Sequence, residues 1–301
     1  MLFGHSSPRR TAQRVGAFVA TLAWACLGLG LDVGVAAADS SDLDVEAGQG
    51  QLGGQLGLYA ADNGADATRV STLSLHGHYG LDPDWSLGLE SGAVWLTTRS
   101  DGGDSQGVFR LANQRGWLFR SFELTGRGAR LRLGLGGTNP VAIAERGTGA
   151  RLQRAAYDRA AAMGGLRRLS LWAPNRASVL LAIQLRELRK GKLRADLGII
   201  PELSWVVHGR IAGDPWVHVL APFVARLSLE RWALRPGFRV ALAWMPTADL
   251  GTSQLSFEPE LALQLQRLRF ELRFLLNLGE PLAGERGEGV WGLRLGVGAS
   301  L

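Results

Sequence analysis

From about residue 50 to its end the chain alternates: apolar side chains fall at every second position, in runs of roughly ten residues separated by polar or glycine-rich segments. In "STLSLHGHYGL" (71–81), Leu73, Leu75, Tyr79 and Leu81 share one face, with Ser74, His76 and His78 on the other. The tight turn "DPD" (82–84) follows. "WSLGLESGAVW" (85–95) then sets Trp85, Leu87, Leu89, Ala93 and Trp95 against Ser86, Gly88, Glu90 and Gly92. The same reading gives strands near 50–60, 108–125, 129–137, 178–188, 193–200, 216–227, 232–244, 253–265, 268–278 and 291–301, twelve in all. The run at 108–125 is irregular, because Arg120 falls among Leu118, Phe122 and Leu124.

The connections have a rhythm of their own. Those at 82–84, 126–128, 189–192, 228–231 and 266–267 are short, whereas those at 97–107, 138–177, 201–215, 246–252 and 279–289 are longer. Short turns at one end and long loops at the other describe an up-and-down antiparallel sheet. A soluble barrel would turn its oily face inward. Three features favour the opposite. The face opposite the leucines is rich in Gly, Ser, Ala and charge, which suits a crowded lumen. Tryptophans bracket the oily runs, Trp85 with Trp95 and Trp232 with Trp244. Ten to twelve residues at about 3.3 Å rise, tilted about 40°, cover roughly 25–30 Å, the height of a lipid-facing band. In hydrocarbon every backbone N–H and C=O needs a partner, so such a sheet must close on itself. The expected fold is therefore all-β: a closed antiparallel up-and-down transmembrane β-barrel of about twelve strands, with one helix in a long outer loop.

These runs, turns and loops, with an N-terminal export signal and a terminal strand "WGLRLGVGASL", resemble porin-like outer-membrane β-barrel proteins of Gram-negative bacteria. The resemblance covers most of 45–301 and rests on pattern. It implies residence in the outer membrane, contact with membrane lipid and lipopolysaccharide, and recognition of the last strand by the barrel assembly machinery. In such proteins that strand usually ends in an aromatic residue, whereas here it ends in Leu301. The implied function is passive diffusion of small polar solutes, set against a non-conducting structural barrel or a lipid-modifying enzyme.

Parity assigns the lumen to His76, His78, Glu90, Arg130, Arg132, Arg186, Asp196, Arg226, Arg239, Glu258, Glu260, Glu271, Arg273 and Arg294. Neighbouring strands alternate in sign, which permits either a charged pore lining or a lumen filled by its own ion pairs. The insert 138–177 is far longer than the other loops, and "TGARLQRAAYDRAAAMGG" (148–165) reads as a helix, with Thr148 as N-cap and Gly164-Gly165 as its stop. Arg151, Arg154, Asp158 and Arg159 are the expected constriction. Arg146, Arg167 and Arg168 add to the basic excess, which favours anions.

Composition sharpens this picture at few points. The charge is +6 over 301 residues, carried almost wholly by arginines dispersed among acids, which argues against nucleic acid. Arg9, Arg10 and Arg14, the apolar stretch 15–31 and "VAAAD" (35–39) form an expected cleaved export signal, residues 1–38, ahead of a barrel domain 39–301. Cleavage would remove Cys26, the only cysteine, and leave a net charge of about +4, with no disulfide or thiol chemistry. Chemistry is otherwise sparse. "GEGVWG" (287–292) fits a dinucleotide-binding spacing but enters a strand. "DGGD" (101–104) reads as a loop rather than a calcium site. His76 and His78 are too few to hold a metal, and beside Ser74 they lack an orienting third group for hydrolysis. No cofactor, metal or catalytic residue is expected.

Overall fold

The computed structural model describes residues 48–62, 66–100, 105–124, 129–143, 150–208, 216–229, 233–245, 253–278 and 291–300. The expected export signal, Thr148, Arg146, "DGGD", Trp232 and Leu301 lie outside them.

Fourteen strands form one closed antiparallel sheet. They are β1 (Gly50–Asp62), β2 (Asp66–Gly80), β3 (Trp85–Ser100), β4 (Ser105–Leu111), β5 (Gln114–Leu124), β6 (Ala129–Asn139), β7 (Arg176–Lys190), β8 (Leu193–Ile199), β9 (Glu202–Val206), β10 (Val217–Leu229), β11 (Leu234–Trp244), β12 (Ser253–Leu265), β13 (Leu268–Leu278) and β14 (Trp291–Ser300). Strands β4 and β5 both pair with β3, while β8 and β9 both pair with β7 and β10. Each couple is one broken stave, so the barrel has the twelve staves the rhythm predicts. Strand β14 closes the ring by pairing with β1, from Gln51↔Ser300 to Leu58↔Leu293. No backbone edge is left at that seam.

Two long loops of the sequence reading are shorter than expected. Strand β3 runs on to Ser100 and β4 begins at Ser105, inside the expected loop 97–107. Strand β9 occupies part of the expected loop 201–215. The irregular run 108–125 has a structural cause. Phe109 and Leu111 of β4 face outward, Ala112 and Asn113 are both buried, and Arg115, Trp117 and Phe119 of β5 then face inward. The stave changes parity at the break, as at a bulge. Arg120 therefore belongs on the outside, with its guanidinium 5.3 Å from the centre of the Trp85 ring and 4.9 Å from that of Phe122.

The barrel is apolar outside and charged within. Forty large apolar side chains are exposed among the described residues, nearly all on outward-facing strand positions. A soluble barrel would bury them, so the lipid-facing assignment holds. Aromatics rim the band: Tyr79, Trp85 and Phe122 near the short turns, and Trp95, Phe109, Trp205 and Trp244 near the long loops. The buried arginines and glutamates of the strands, with His76 and His78, point inward on the opposite parity.

The insert between β6 and β7 carries helix α1 (Ala150–Ala162) and, beyond the expectation, a single-turn helix α2 (Leu169–Trp172). Both lie inside the barrel. One face of α1, with Ala156, Tyr157, Ala160 and Ala161, is buried with Met163 against Tyr59, Val70, Val94 and Leu96, inward-facing residues at the loop ends of β1, β2 and β3.

Candidate functional site in the lumen

The insert crosses the lumen from wall to wall. On the β1–β4 side its contacts are mainly apolar, as just described. Tyr157 adds a hydrogen bond, its hydroxyl donating to the Leu111 carbonyl at 3.1 Å. Burial pushes this phenol up to about 12, against smaller opposing effects from Arg110 and a hydrogen bond with the Ile143 backbone. At the break between β4 and β5, buried Asn113 acts as a hook. Its Nδ2 donates to the carbonyls of Ser170 and Ala173, each at 2.8 Å, and its Oδ1 accepts from the Ala142 N–H at 2.8 Å. The stave breaks where its backbone must hold the irregular chain of the insert, which satisfies groups that would otherwise be buried alone.

On the β12–β14 side the contacts are polar. Arg294 donates to the Met163 carbonyl, Asn277 Nδ2 to the Ala162 carbonyl at 3.1 Å, and Ser256 Oγ to Asn277 Oδ1 at 2.8 Å. The turn after α1 requires glycine at Gly165: φ is +58° and an added Cβ would lie 2.3 Å from Ser256 Oγ. Arg167 and Arg168 then point to opposite walls. Arg167 pairs with Glu258 on β12, and Arg168 pairs with Glu90 on β3 at 2.9 Å. Two adjacent residues thus tie the insert across the barrel.

Around this crossing lies an ion-pair network. Glu90 also accepts from Arg115 at 3.2 Å, Arg226 pairs with Glu260 at 2.5 Å, and Glu271 takes Arg273 at 2.6 Å and Arg269 at 2.5 Å. The register brings Arg239 opposite Glu258 and Glu260 opposite Arg273, but also sets Arg226 opposite Arg239 and Arg273 opposite Arg294. Glu258 relieves part of that repulsion by reaching Arg294 at 3.7 Å as well as Arg167. The interior is not neutral: ten arginines but only five glutamates are buried among the described residues. Arg168 feels this directly. Burial, and then Arg294, Arg273 and Arg239, push its pKa well below the ordinary arginine value.

Of the residues assigned to the lumen by parity, His76, His78, Glu90, Arg132, Arg186, Arg226, Arg239, Glu258, Glu260, Glu271, Arg273 and Arg294 are buried inside. Arg130 and Asp196 are partly exposed near the short turns: Arg130 pairs with exposed Glu123 at 3.5 Å, and Asp196 accepts from Arg194 and from the Glu187 N–H where β7 bulges. His78 stacks on Phe119 at 5.8 Å and lies 3.4 Å from Arg132.

The residues expected at the constriction all lie on α1. Arg151, Asp158 and Arg159 are on the exposed face of α1, and Arg154 is half-exposed in a pair with Asp158 at 3.6 Å. The face of α1 that packs on the barrel wall is the small-residue one, with Met163 beside it, and Arg167 and Arg168 follow in the turn. One sequence signal could have located this seat. Val70, Val94, Leu96 and Leu220 are apolar residues on the polar parity, clustered at the loop ends of their strands.

No protein-family model matches the chain, and no curated protein matches it. Among solved structures, an outer-membrane channel from Pseudomonas putida F1 superposes with a TM-score of 0.53 at 14% identity, covering 89% of this chain and 100% of that one. The β domain of the Bordetella autotransporter Brka (TM-score 0.46, 13% identity, 84% and 100% covered) and LpxR from Salmonella typhimurium (0.42, 13%, 83% and 99%) are also similar. Closed, antiparallel, apolar outside and charged within, the chain is an outer-membrane-type β-barrel whose own insert crosses its lumen.

Proposed function

We propose that the protein is a gated, porin-like channel of the bacterial outer membrane that passes small polar solutes with a preference for anions. The observation that carries this is the twofold excess of buried arginine over buried glutamate. A lumen built only to be sealed by ion pairs would balance its charges, since each unpaired buried cation is costly. A surplus of guanidinium groups lowers the barrier for an anion in transit. The insert is the gate, and the wall alone keeps eight of the ten buried arginines once Arg167 and Arg168 are set aside. The exposed apolar band implies lipid and lipopolysaccharide as surroundings. Strand β14, which seals the barrel, is the segment the assembly machinery would engage after export and removal of residues 1–38. A lipid-modifying activity is less well supported, because His76 and His78 point into the lumen, away from the lipid face.

The test is a barrel in which residues 144–173 are replaced by a short Gly-Ser linker, with folding checked by a heat-modifiable gel shift. In a planar bilayer under a salt gradient, its conductance should far exceed that of the parent and its reversal potential should be anion-selective. A cation-selective reversal potential, or a folded variant that does not conduct, would overturn the proposal.

A further inference from the structure

On the outward face of β2–β4 the register stacks three rows at the long-loop end. Ser71, Trp95 and Phe109 form the lowest, with the Trp95 and Phe109 rings edge to face at 6.0 Å. Arg69, Thr97 and Gly107 lie one outward step above, and Arg99 with Ser105 one step above that. Parity fixes their direction. Val70, Val94 and Leu96 are buried inside, so Arg69, Thr97 and Arg99 point away from the lumen, and both arginines are exposed. Diagonal neighbours on adjacent antiparallel strands are about 7–8 Å apart, which lets two long side chains meet on one ligand. Gly107 leaves the space beside Thr97 open, since an added Cβ there would meet nothing closer than 3.7 Å. Arg110 brings a third guanidinium, donating to the Phe109 carbonyl at 3.1 Å on a strand that pairs only with β3.

Surface Arg130 and Arg154 pair with Glu123 and Asp158, whereas none of Arg69, Arg99 and Arg110 has a carboxylate partner among the described residues. No other strand presents an outward-facing Lys or Arg at this end among the described residues. Directly beneath them, Trp95, Phe109 and Leu111 belong to the apolar band. Cations above aromatic rings above aliphatic side chains match the order of phosphate, sugar and acyl chain in a lipid. The long loops mark the outer side. We propose that this face is a docking site for a phosphorylated glycolipid of the outer leaflet. Its phosphate ester accepts from Arg69 and Arg99, a sugar hydroxyl meets Thr97, and an acyl chain lies along Trp95, Phe109 and Leu111. A free phosphate would leave the aromatic ledge unused, and the exposed arginines of α1 stand over the lumen rather than over lipid. This deepens the outer-membrane reading by giving one lipid a fixed seat, and rests on it for the choice of leaflet.

Native mass spectrometry of the detergent-solubilised barrel tests this, with bisphosphorylated lipid A, the same lipid stripped of phosphate, and inorganic phosphate as probes. The parent barrel should retain one lipid A, and inorganic phosphate in large excess should not displace it. Removing the phosphates from the lipid should weaken binding at least about tenfold, the weight of a charge-assisted hydrogen bond. Arg69→Gln combined with Arg99→Gln should do the same, whereas Arg151→Gln combined with Arg159→Gln, on α1, should leave binding unchanged. Variants are scored when they show the folded gel shift, and the comparison of the two lipids on the parent barrel needs no variant. Equal binding of the two lipids, undiminished binding by the Arg69 and Arg99 variant, or displacement by inorganic phosphate would overturn the site. Loss of binding in the α1 variant instead would place the lipid at the lumen mouth and overturn it as well. The outer-membrane reading fails separately: a chain soluble without detergent and lacking the gel shift would remove the membrane, whereas a folded barrel indifferent to lipid A would remove this site alone.

Discussion

The wall of β1–β4 holds the insert mainly by apolar contact, beside one ion pair from Arg168 to Glu90, whereas the wall of β12–β14 holds it mainly by polar contacts. On the first, Tyr59, Val70, Val94 and Leu96 bury apolar surface against Ala156, Tyr157, Ala160 and Met163. On the second, Arg294, Asn277, Ser256 and Glu258 meet backbone carbonyls and Arg167. Apolar contact is non-directional, tolerates sliding and is little affected by salt. A buried ion pair is directional and fails as a unit when one partner is lost. The first wall is a seat and the second a latch. In the proposed channel, that asymmetry would make β1–β4 the hinge of the insert and β12–β14 its release.

The largest effect should come from the latch. Glu258→Ala leaves Arg167 and Arg294 facing each other without their shared carboxylate, at a cost of about 3–5 kcal/mol by the behaviour of broken buried pairs. Native-state hydrogen exchange should show the insert losing protection while β1–β6 keep theirs, and single-channel records should show openings. Unchanged protection would mean that Glu258 is not the latch.

The seat comes next. Met163→Ala removes a side chain that is 1% exposed and should weaken the insert by about 2–3 kcal/mol through the lost packing. Its effect should not change between low and high salt, whereas the closure remaining in the Glu258 variant should be salt-insensitive only on the β1–β4 side. Equal salt dependence for both walls would erase the distinction between seat and latch.

The smallest effect is at Tyr157. Because burial raises its folded pKa to about 12 from the ordinary value of about 10, the neutral phenol is the form the seat accepts. The stabilisation is complete below about pH 10 and is lost as pH rises towards 12. Protection of α1 should fall over that window, and Tyr157→Phe should abolish the fall while costing about 1 kcal/mol for its hydrogen bond to Leu111. A fall that persists in the variant would assign it elsewhere.

Most of the barrel was legible because a period of two is a strong signal when one face meets lipid. Strands β12 and β13 have the bounds the alternation predicts, and the inward parity of Arg239, Glu258, Glu271 and Arg273 follows from Leu and Phe facing out. Alternation is silent where parity changes. The break at Ala112-Asn113 made one stave look irregular, and the hook formed by Asn113 depends on carbonyls about sixty residues away, which no local pattern reports. The helix was visible, but its seating face was not. Charge drew attention to Arg151, Arg154 and Arg159, whereas the buried face is Ala156, Tyr157, Ala160 and Ala161. Lysine- or arginine-rich faces remain solvated unless partners are at hand. Arg167 and Arg168, in the turn, find theirs on two walls that the sequence separates by more than 150 residues, Glu90 and Glu258.

The central claim is that the insert closes the lumen while seated between these walls. An added Cβ at Gly292 would lie 3.9 Å from the Met163 Cβ, within the span of a disulfide. The most direct test is a chain carrying Met163→Cys and Gly292→Cys, with Cys26 replaced by serine, recorded in a bilayer before and after reduction. The expected result is that the crosslink forms in the folded barrel, that the oxidised protein stays closed, and that reduction restores openings. Failure of the folded barrel to crosslink, or a crosslinked barrel that conducts as freely as the reduced one, would contradict it.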